Sequence, residues 1–265
     1  MLIVADNLHI VDQTISKAVL SEDPVPIKSL VKQIIQSGSN ALDVNCGPLS
    51  RSPEKIRFIL EAVSEVTDMP LFLDTTNANA MEIGLTFCGE KGRKCVINGF
   101  SLEPKKIESI LPLAKAYHAD IIGYLLFPNS MVPSGEEEMM ETAVMVYEAF
   151  KQADIPEDRL IIDPIVAPLS WGNGARHNRD LVSVIRNLPD LLGFPVRTIC
   201  GVSNLTTGAG DKKKKITMES AFAAILTAAG LDMALMNICH IQTIRTIKAS
   251  TALMSDSIFS WAQIE

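Results

Sequence analysis

The chain has little positive charge. Its 265 residues carry 24 Lys and Arg against 31 Asp and Glu, a net charge of −7, and that balance argues against a nucleic-acid backbone as the main partner. It lacks a long apolar run. The most apolar late stretch, Ala221 to Ile238, is broken by Asp232, whereas a bilayer span needs about 20 apolar residues in a row. No basic segment precedes an apolar stretch at the N-terminus, so no secretory signal is expected and the cytoplasm is the expected compartment. The cysteines, Cys46, Cys88, Cys95, Cys200 and Cys239, form no C-x-x-C pair and are odd in number. Buried, reduced thiols are expected, and no local spacing supports a zinc site. No linker, composition shift or fixed repeat divides the chain, so residues 1–265 read as one domain.

What is present is a large apolar fraction, 47%, beside 21% charged residues, enough for a sizeable core. Short apolar runs recur along the chain. Met1 to Ala5, Ala41 to Asn45, Leu71 to Leu73, Lys94 to Ile97, Ala119 to Gly123, Leu160 to Ile162, Val196 to Cys200 and Met233 to Met236 read as eight buried strands. Helical patterns separate them. One runs from Asp23-Pro24 to Ser37 and stops at Gly38; others run from Ser52-Pro53 to Val66, Asn77 to Cys88, Glu103-Pro104 to Tyr117 and Glu136 to Gln152. Three more span Arg179 to Leu188, ended by Pro189, then Thr217 to Ala229, then from about Gln242 onward. The first connection, Ile10 to Val25, is longer and holds at least one helical turn. Strands alternating with amphipathic helices predict parallel βαβ units. Eight units in this length predict an α/β fold, a single-domain closed (β/α)8 TIM barrel, with an open doubly wound sheet as the alternative.

In such a barrel the C-terminal strand ends meet on one face. Here they carry Asp6 and Asn7, Asp43 and Asn45, Asp74, Asn98, Asp163, Asn204 and Asn237. His, Cys and Arg, which metals and phosphates favour, are scarce in that set. Carboxylates accept from ring and exocyclic N–H groups, and amides donate and accept, so the set suits a neutral planar ligand rich in N–H and C=O. The competing reading is local, because Asp and Asn also cap helices and form turns. Asn77 is read as such a cap.

The motifs Leu42-Asp43-Val44-Asn45-Cys46-Gly47-Pro48, Leu73-Asp74-Thr75-Thr76-Asn77, Ile97-Asn98-Gly99, Ile162-Asp163-Pro164 and Gly201-Val202-Ser203-Asn204 resemble those of pterin-binding methyltransferases. They are most similar to the methyltetrahydrofolate:corrinoid (iron-sulfur) protein methyltransferases. The resemblance covers essentially the whole chain in order, and its specificity lies in the combination. It implies a (β/α)8 barrel, usually a homodimer, that moves the N5 methyl of methyltetrahydrofolate to or from the cobalt of a cobalamin held by a partner corrinoid protein. It implies that Asp74, Asn98 and Asp163 hydrogen-bond the pterin and that Asp43 and Asn45 line the deeper floor. Asn204 would lie near N5 and stabilise the N5-protonated transition state.

This chain departs from the resemblance at Ala5-Asp6-Asn7-Leu8-His9, where relatives commonly carry Gly-Glu-Arg/Asn-x-Asn. Lys212 to Lys215 are expected in a solvated loop, with pairing to a folate tail or an acidic partner as the alternative. His177 and Arg176 are placed in the long loop after strand six, as ordinary loop polarity with partner contact as the alternative; His118 is read as structural; and Trp171 and Phe127 lie in loops on the site face, either meeting a corrinoid or anchoring those loops. Dihydropteroate synthase shares the implied fold, but its early Asp-Ser-Phe-Ser and late Ser-x-Arg segments are missing. A zinc thiol methyltransferase would end in Gly-Cys-Cys, and no resident metal is expected. Without Asp-x-His-x-x-Gly, the chain is not expected to bind cobalamin through its own histidine. The non-enzymatic alternative is a folate-binding barrel without transfer activity.

Overall fold

A computed structural model describes residues 1–47, 49 and 52–261. Pro48, the last residue of the Leu42–Pro48 motif, lies outside them. Eight strands form a closed barrel in sequence order: β1 (Leu2–His9), β2 (Ala41–Asn45), β3 (Leu71–Asp74), β4 (Cys95–Phe100), β5 (Asp120–Tyr124), β6 (Leu160–Asp163), β7 (Arg197–Gly201) and β8 (Met233–Met236). Each pairs parallel with the next, and β8 closes onto β1 through Leu2–Met233 to Ala5–Met236. The helices among the described residues are α1 (Gln13–Ser21), α2 (Pro24–Gln36), α3 (Lys55–Ser64), α4 (Ala78–Glu90), α5 (Pro104–Ala116), α6 (Glu136–Gln152), α7 (Gly174–Leu192), α8 (Lys212–Ala228) and α9 (Ile241–Leu253). Helix α1 is the helical turn expected in the first connection, and it makes nine helices rather than eight. Asp12 caps it, accepting from the backbone N–H groups of Thr14 and Ile15.

The barrel interior follows from a two-residue period. Val4, Ala41, Phe72, Val96, Ile122, Ile161, Ile199 and Met233, one from each strand, form a buried apolar plug. The larger core lies outside the barrel, where Leu42, Val44, Leu71, Leu73, Ile97, Ile121 and Ile162 point outward against the helices. Two residues beyond the plug, the inward positions are Asp6, Asp43, Asp74, Asn98, Tyr124, Asp163, Gly201 and Leu235. That layer is polar and floors the C-terminal mouth.

Five expectations need correction. Strand β1 does not end before Asp6; pairing resumes past a bulge at Leu8 with Val44 and His9 with Asn45, so Asp6 and Asn7 lie within the strand. Helix α7 begins at Gly174, which places Arg176 and His177 on it rather than in a loop. Pro189 does not end α7, because a proline in the last turn forfeits one backbone bond while Leu181, Val184, Ile185 and Leu188 stay buried; Gly193, left-handed at φ 78°, ends it. Helix α8 starts at Lys212 instead of Thr217, because the Asp211 carboxylate accepts from the backbone of Lys213 and Lys214. Lys212 to Lys215 are therefore its first turn. Finally, only Cys46 and Cys200 are buried free thiols; Cys239 is exposed, and Cys88 and Cys95 are disulfide-bonded. The turn at Lys91-Gly92-Arg93 brings the end of α4 onto the start of β4, with the two Cα atoms 6.5 Å apart.

Asn77 caps α4 as expected, its side chain accepting from Asn79 and Ala80 while its own amide donates to the Leu49 carbonyl at 3.3 Å. Asn77→Ala should lower the free energy of unfolding in urea by about 1 kcal/mol, and Asn77→Ser should recover most of it.

Candidate active site at the barrel mouth

Closure of the barrel forces the inward residues of neighbouring strands together, so the polar layer is hydrogen-bonded across strands. Asn98 holds two neighbours: its Nδ2 donates to Asp43 Oδ1 at 2.9 Å, and its Oδ1 accepts from the Tyr124 hydroxyl at 2.6 Å. One turn of the period above Asp43, Asn45 lies beside Asp74 in the β2–β3 register. It donates to Asp74 Oδ2 and accepts from the Gly47 N–H at 3.1 Å. Asp163 Oδ1 accepts from the Ile165 N–H at 2.8 Å. Ile165 is left-handed, at φ 64°, a conformation that costs a β-branched residue on the order of 1–3 kcal/mol. Helix α7 holds it there: His177, 1% exposed, bonds the Ile165 carbonyl through Nε2 at 2.8 Å, and Asn178 makes two bonds to the backbone of Ala167. His177 is thus a buried support of the loop after β6 rather than a polar loop residue.

Several valences remain open. Among the described residues, Asp43, Asp74 and Asp163 each have one carboxyl oxygen without a partner, and Asn98 has one spare N–H. Among the described residues, the only fully enclosed polar side-chain atom lacking a partner is Arg159 Nη1, so the open carboxyl oxygens are not sealed from solvent. Gly201 is the gap in the layer. Asn204, exposed in the 3-10 turn Val202–Thr206 that follows β7, folds its amide over it: a Cβ on Gly201 would lie 2.9 Å from Asn204 Nδ2. Among the described residues that amide has no hydrogen-bond partner. Asn7 and Asn237 take another role. The Asn7 amide donates to Asn237 Oδ1 at 3.0 Å and Asn7 Oδ1 accepts from the Ile238 N–H, which stitches β1 to the end of β8.

Burial sets the protonation of the layer. It holds Asp43 well above the ordinary carboxylate range, the charge of Asp74 adds to the rise, and the bond from Asn98 opposes it. Asp74 is raised mainly by burial, with Lys106 from the first turn of α5 opposing. Burial pushes Asp163 up to about 7 against the Ile165 N–H. Tyr124, facing all three carboxyls, is pushed well above its usual value by burial and then by their charges. The layer therefore holds carboxylic acids that can donate as well as accept near neutral pH. Asp6 is also raised by burial, and the Ser203 hydroxyl donates to it at 3.0 Å.

Tyr124 was not among the residues singled out in the sequence, because it reads as the start of a loop. Its signal was the two-residue period from Ile122. Clefts of about 900 Å³ beside Phe87 and about 640 Å³ beneath the apolar plug open at the opposite, N-terminal end and hold none of the polar layer. Among the described residues, no group of three or more His, Cys, Asp or Glu is placed to hold a metal ion, and no helix is long and apolar enough to cross a membrane.

The fold and its polar mouth define a single-domain TIM-barrel protein whose C-terminal face is floored by carboxyls and amides. Comparison with known proteins narrows the class. The family model described as pterin binding enzyme matches residues 10–237, and the chain belongs to that family. A methylcorrinoid:tetrahydrofolate methyltransferase of Eubacterium limosum is 24% identical over 262 residues, covering 97% of this chain and 92% of that protein. The fold matches two solved dihydropteroate synthases at 15% identity. One, from Xanthomonas albilineans with 7,8-dihydropteroate, gives a TM-score of 0.69 over 97% of this chain and 94% of that one. The other, from Coxiella burnetii with pteroic acid, gives 0.64 over 89% and 87%.

The raised Asp163 has a consequence for stability. Its folded-state pKa of about 7 lies above the unfolded value near 3.8, so the native state binds more protons and stability is lost as pH rises between those limits. Asp163→Asn removes the titration and keeps an acceptor for Ile165. Its unfolding free energy relative to wild type should grow by up to about 4 kcal/mol between pH 4 and pH 8, as read from urea denaturation of the ligand-free protein. A gap independent of pH would mean that Asp163 is ionised in the fold.

Proposed function

We propose that this protein transfers the N5 methyl group between methyltetrahydrofolate and the cobalt of a corrinoid carried by a partner protein. The observation that carries the reading is the polar layer itself: the buried carboxyls of Asp43 and Asp163 and the half-buried one of Asp74, each with an oxygen that no described residue occupies, beside an Asn204 amide that is likewise unpartnered among the described residues. The likeness to the Eubacterium limosum methyltransferase supports the same reading. In this proposal Asp74, Asp163 and the spare N–H of Asn98 bind the pterin edge, while Asp43 and Asn45 hold those groups in place from the floor. Bound ring N–H groups give the carboxyls the donors that their burial leaves wanting.

Co(I) brings its own electron pair and needs no base. The C–N5 bond breaks with its pair left on N5, a Co–C bond forms, cobalt becomes formally Co(III), and N5 takes a proton. The barrier lies in the leaving group, because unprotonated N5 would depart as an amide anion. A hydrogen bond that strengthens as N5 gains its proton lowers it. The Asn204 amide does this without titrating.

The corrinoid would approach the mouth from above. Val11, Met131 and Trp171, from the connections after β1, β5 and β6, and Ile241, which opens α9, are 78%, 61%, 46% and 59% exposed. They supply apolar rim for a macrocycle. Lys212 to Lys215 begin α8, where the helix dipole disfavours cations, so an anionic folate tail or acidic partner would offset that cost. We further propose that residues 1–265 act as one domain, in the cytoplasm and as a homodimer. The apolar face shared by α7 and α8, with Met218 and Ile225 44% and 49% exposed, supports a second copy there.

Mixing the protein with methyltetrahydrofolate and cob(I)alamin should convert the Co(I) spectrum to that of methylcobalamin; folate binding without product would overturn the assignment. Asp74→Ala should weaken methyltetrahydrofolate binding by roughly tenfold to a hundredfold. Asn204→Ala should lower kcat by roughly a hundredfold to a thousandfold while leaving folate affinity nearly intact. Near wild-type turnover in Asn204→Ala with intact folate affinity would remove the role given to that amide.

A further inference from the structure

A second polar cluster lies behind the mouth. Glu219 of α8 is 2% exposed, and a carboxylate that deep is costly unless its oxygens are bonded. Both are. Glu219 Oε1 accepts from the Thr206 hydroxyl at 2.5 Å, and Oε2 is hydrogen-bonded with His240 Nδ1 at 2.5 Å. Thr206 ends the 3-10 turn that carries Asn204. On the other flank of Asn204, the Ser203 hydroxyl donates to Asp6 Oδ2 at 3.0 Å. Backbone bonds from Leu169 to the Leu205 carbonyl (2.9 Å) and from Thr207 to the Asn204 carbonyl (3.1 Å) complete the hold.

The geometry points to Asp6 and Glu219 as positioning residues, one half-buried and one buried acid that clamp the turn on either side of Asn204 and aim its amide across Gly201 into the mouth. This inference rests on the role proposed for Asn204. Glu219 has both oxygens engaged, by Thr206 and His240, while Asp6, on the inner wall of the mouth, spends one oxygen on the Ser203 hydroxyl. The clamp accounts for strand-one chemistry that the sequence left open, since the short Asp6 side chain in β1 matches the reach to Ser203. It also accounts for a buried acid on α8, where an apolar residue would pack the helix at lower cost. A short 3-10 turn has weak internal hydrogen bonding, so side-chain ties from outside are what can keep its register. A misplacement of about 1 Å at a reacting group costs on the order of a hundredfold in rate.

Thr206→Val in the full chain deletes one tie at nearly constant shape. Amide hydrogen exchange read by mass spectrometry should speed up in the segment 202–207 and nowhere else, kcat for methyl transfer should fall roughly tenfold to a hundredfold, and folate affinity should stay within about threefold. Thr243→Val is the control: Thr243 bonds Ser220 between α8 and α9 at 3.1 Å, one residue from Glu219, without touching the turn. It should loosen the same helix pair and leave both exchange in 202–207 and kcat unchanged. Glu219→Gln keeps an acceptor for Thr206 and should recover most of what Glu219→Ala loses. Unchanged exchange in 202–207 of Thr206→Val, or a Thr243→Val that matches it in both readouts, overturns the clamp. A wild-type protein without transfer activity overturns the functional reading instead, and the exchange comparison still judges the clamp.

Discussion

The structure depends on one constraint: each strand of the closed barrel contributes one inward side chain per layer, and two layers meet with opposite chemistry. Below, eight apolar residues fill the interior and exclude water. Directly above, Asp43, Asp74, Asn98, Tyr124 and Asp163 occupy the same radial positions. The plug desolvates them from beneath and the strands from the sides. Burial disfavours the ionised form of all three carboxyls, and at Asp43 the charge of Asp74 adds to it. The layer offsets part of this by sharing one amide, Asn98, between an acid and a phenol. What it does not do is satisfy itself, and the oxygens left over are not sealed from solvent.

That layering explains which parts of the fold were legible. Strands β2 and β8 and helix α6 lie where the sequence puts them, residue for residue, because each is bounded by abrupt polarity changes and packs against immediate neighbours. The polar ends were harder to bound. In β1 the pattern turns polar at Asp6, which reads as a loop, yet the strand continues because a barrel mouth is lined by polar residues still bonded in the ladder. The start of α8 was hidden by its lysine run, where the cap of Asp211 outweighs four unfavourable charges near the dipole. The Cys88–Cys95 pairing depends on how a turn closes in three dimensions, and no spacing rule shows that.

For the candidate site the division is similar. Asp43, Asn45, Asp74, Asn98 and Asp163 were legible because strand ends in a barrel converge whatever the details, and the structure joins Asp43 to Asn98 and Asn45 to Asp74. Tyr124 was missed although the same period reaches it. Asn7 and Asn237 were grouped with the ring, but their amides are used on each other and on backbone. Glu219, Thr206 and His240 carried no signal at all: their contacts join residues 13 and 21 positions apart across two helices. A lone buried acid on a helix can be recognised only once its burial is known.

The remaining question is why acids rather than amides fill the layer. An amide ring would be fully satisfied at any pH and would bind a planar ligand by neutral hydrogen bonds alone. A carboxyl raised to about 7, as at Asp163, stands near balance between its two forms at neutral pH. A ligand that offers N–H donors to the open oxygens favours the ionised form, and charge-assisted bonds to it are about twice as strong as neutral ones. A ligand that offers acceptors instead meets the protonated form as a donor. The same layer can therefore match a ring edge that alternates N–H and C=O, at the cost of stability in the empty protein. That cost falls where the two-residue period concentrates it, directly above the plug, and the supporting bonds from Asn45, Asn98, Tyr124 and the Ile165 N–H are what keep such a layer compatible with a folded barrel.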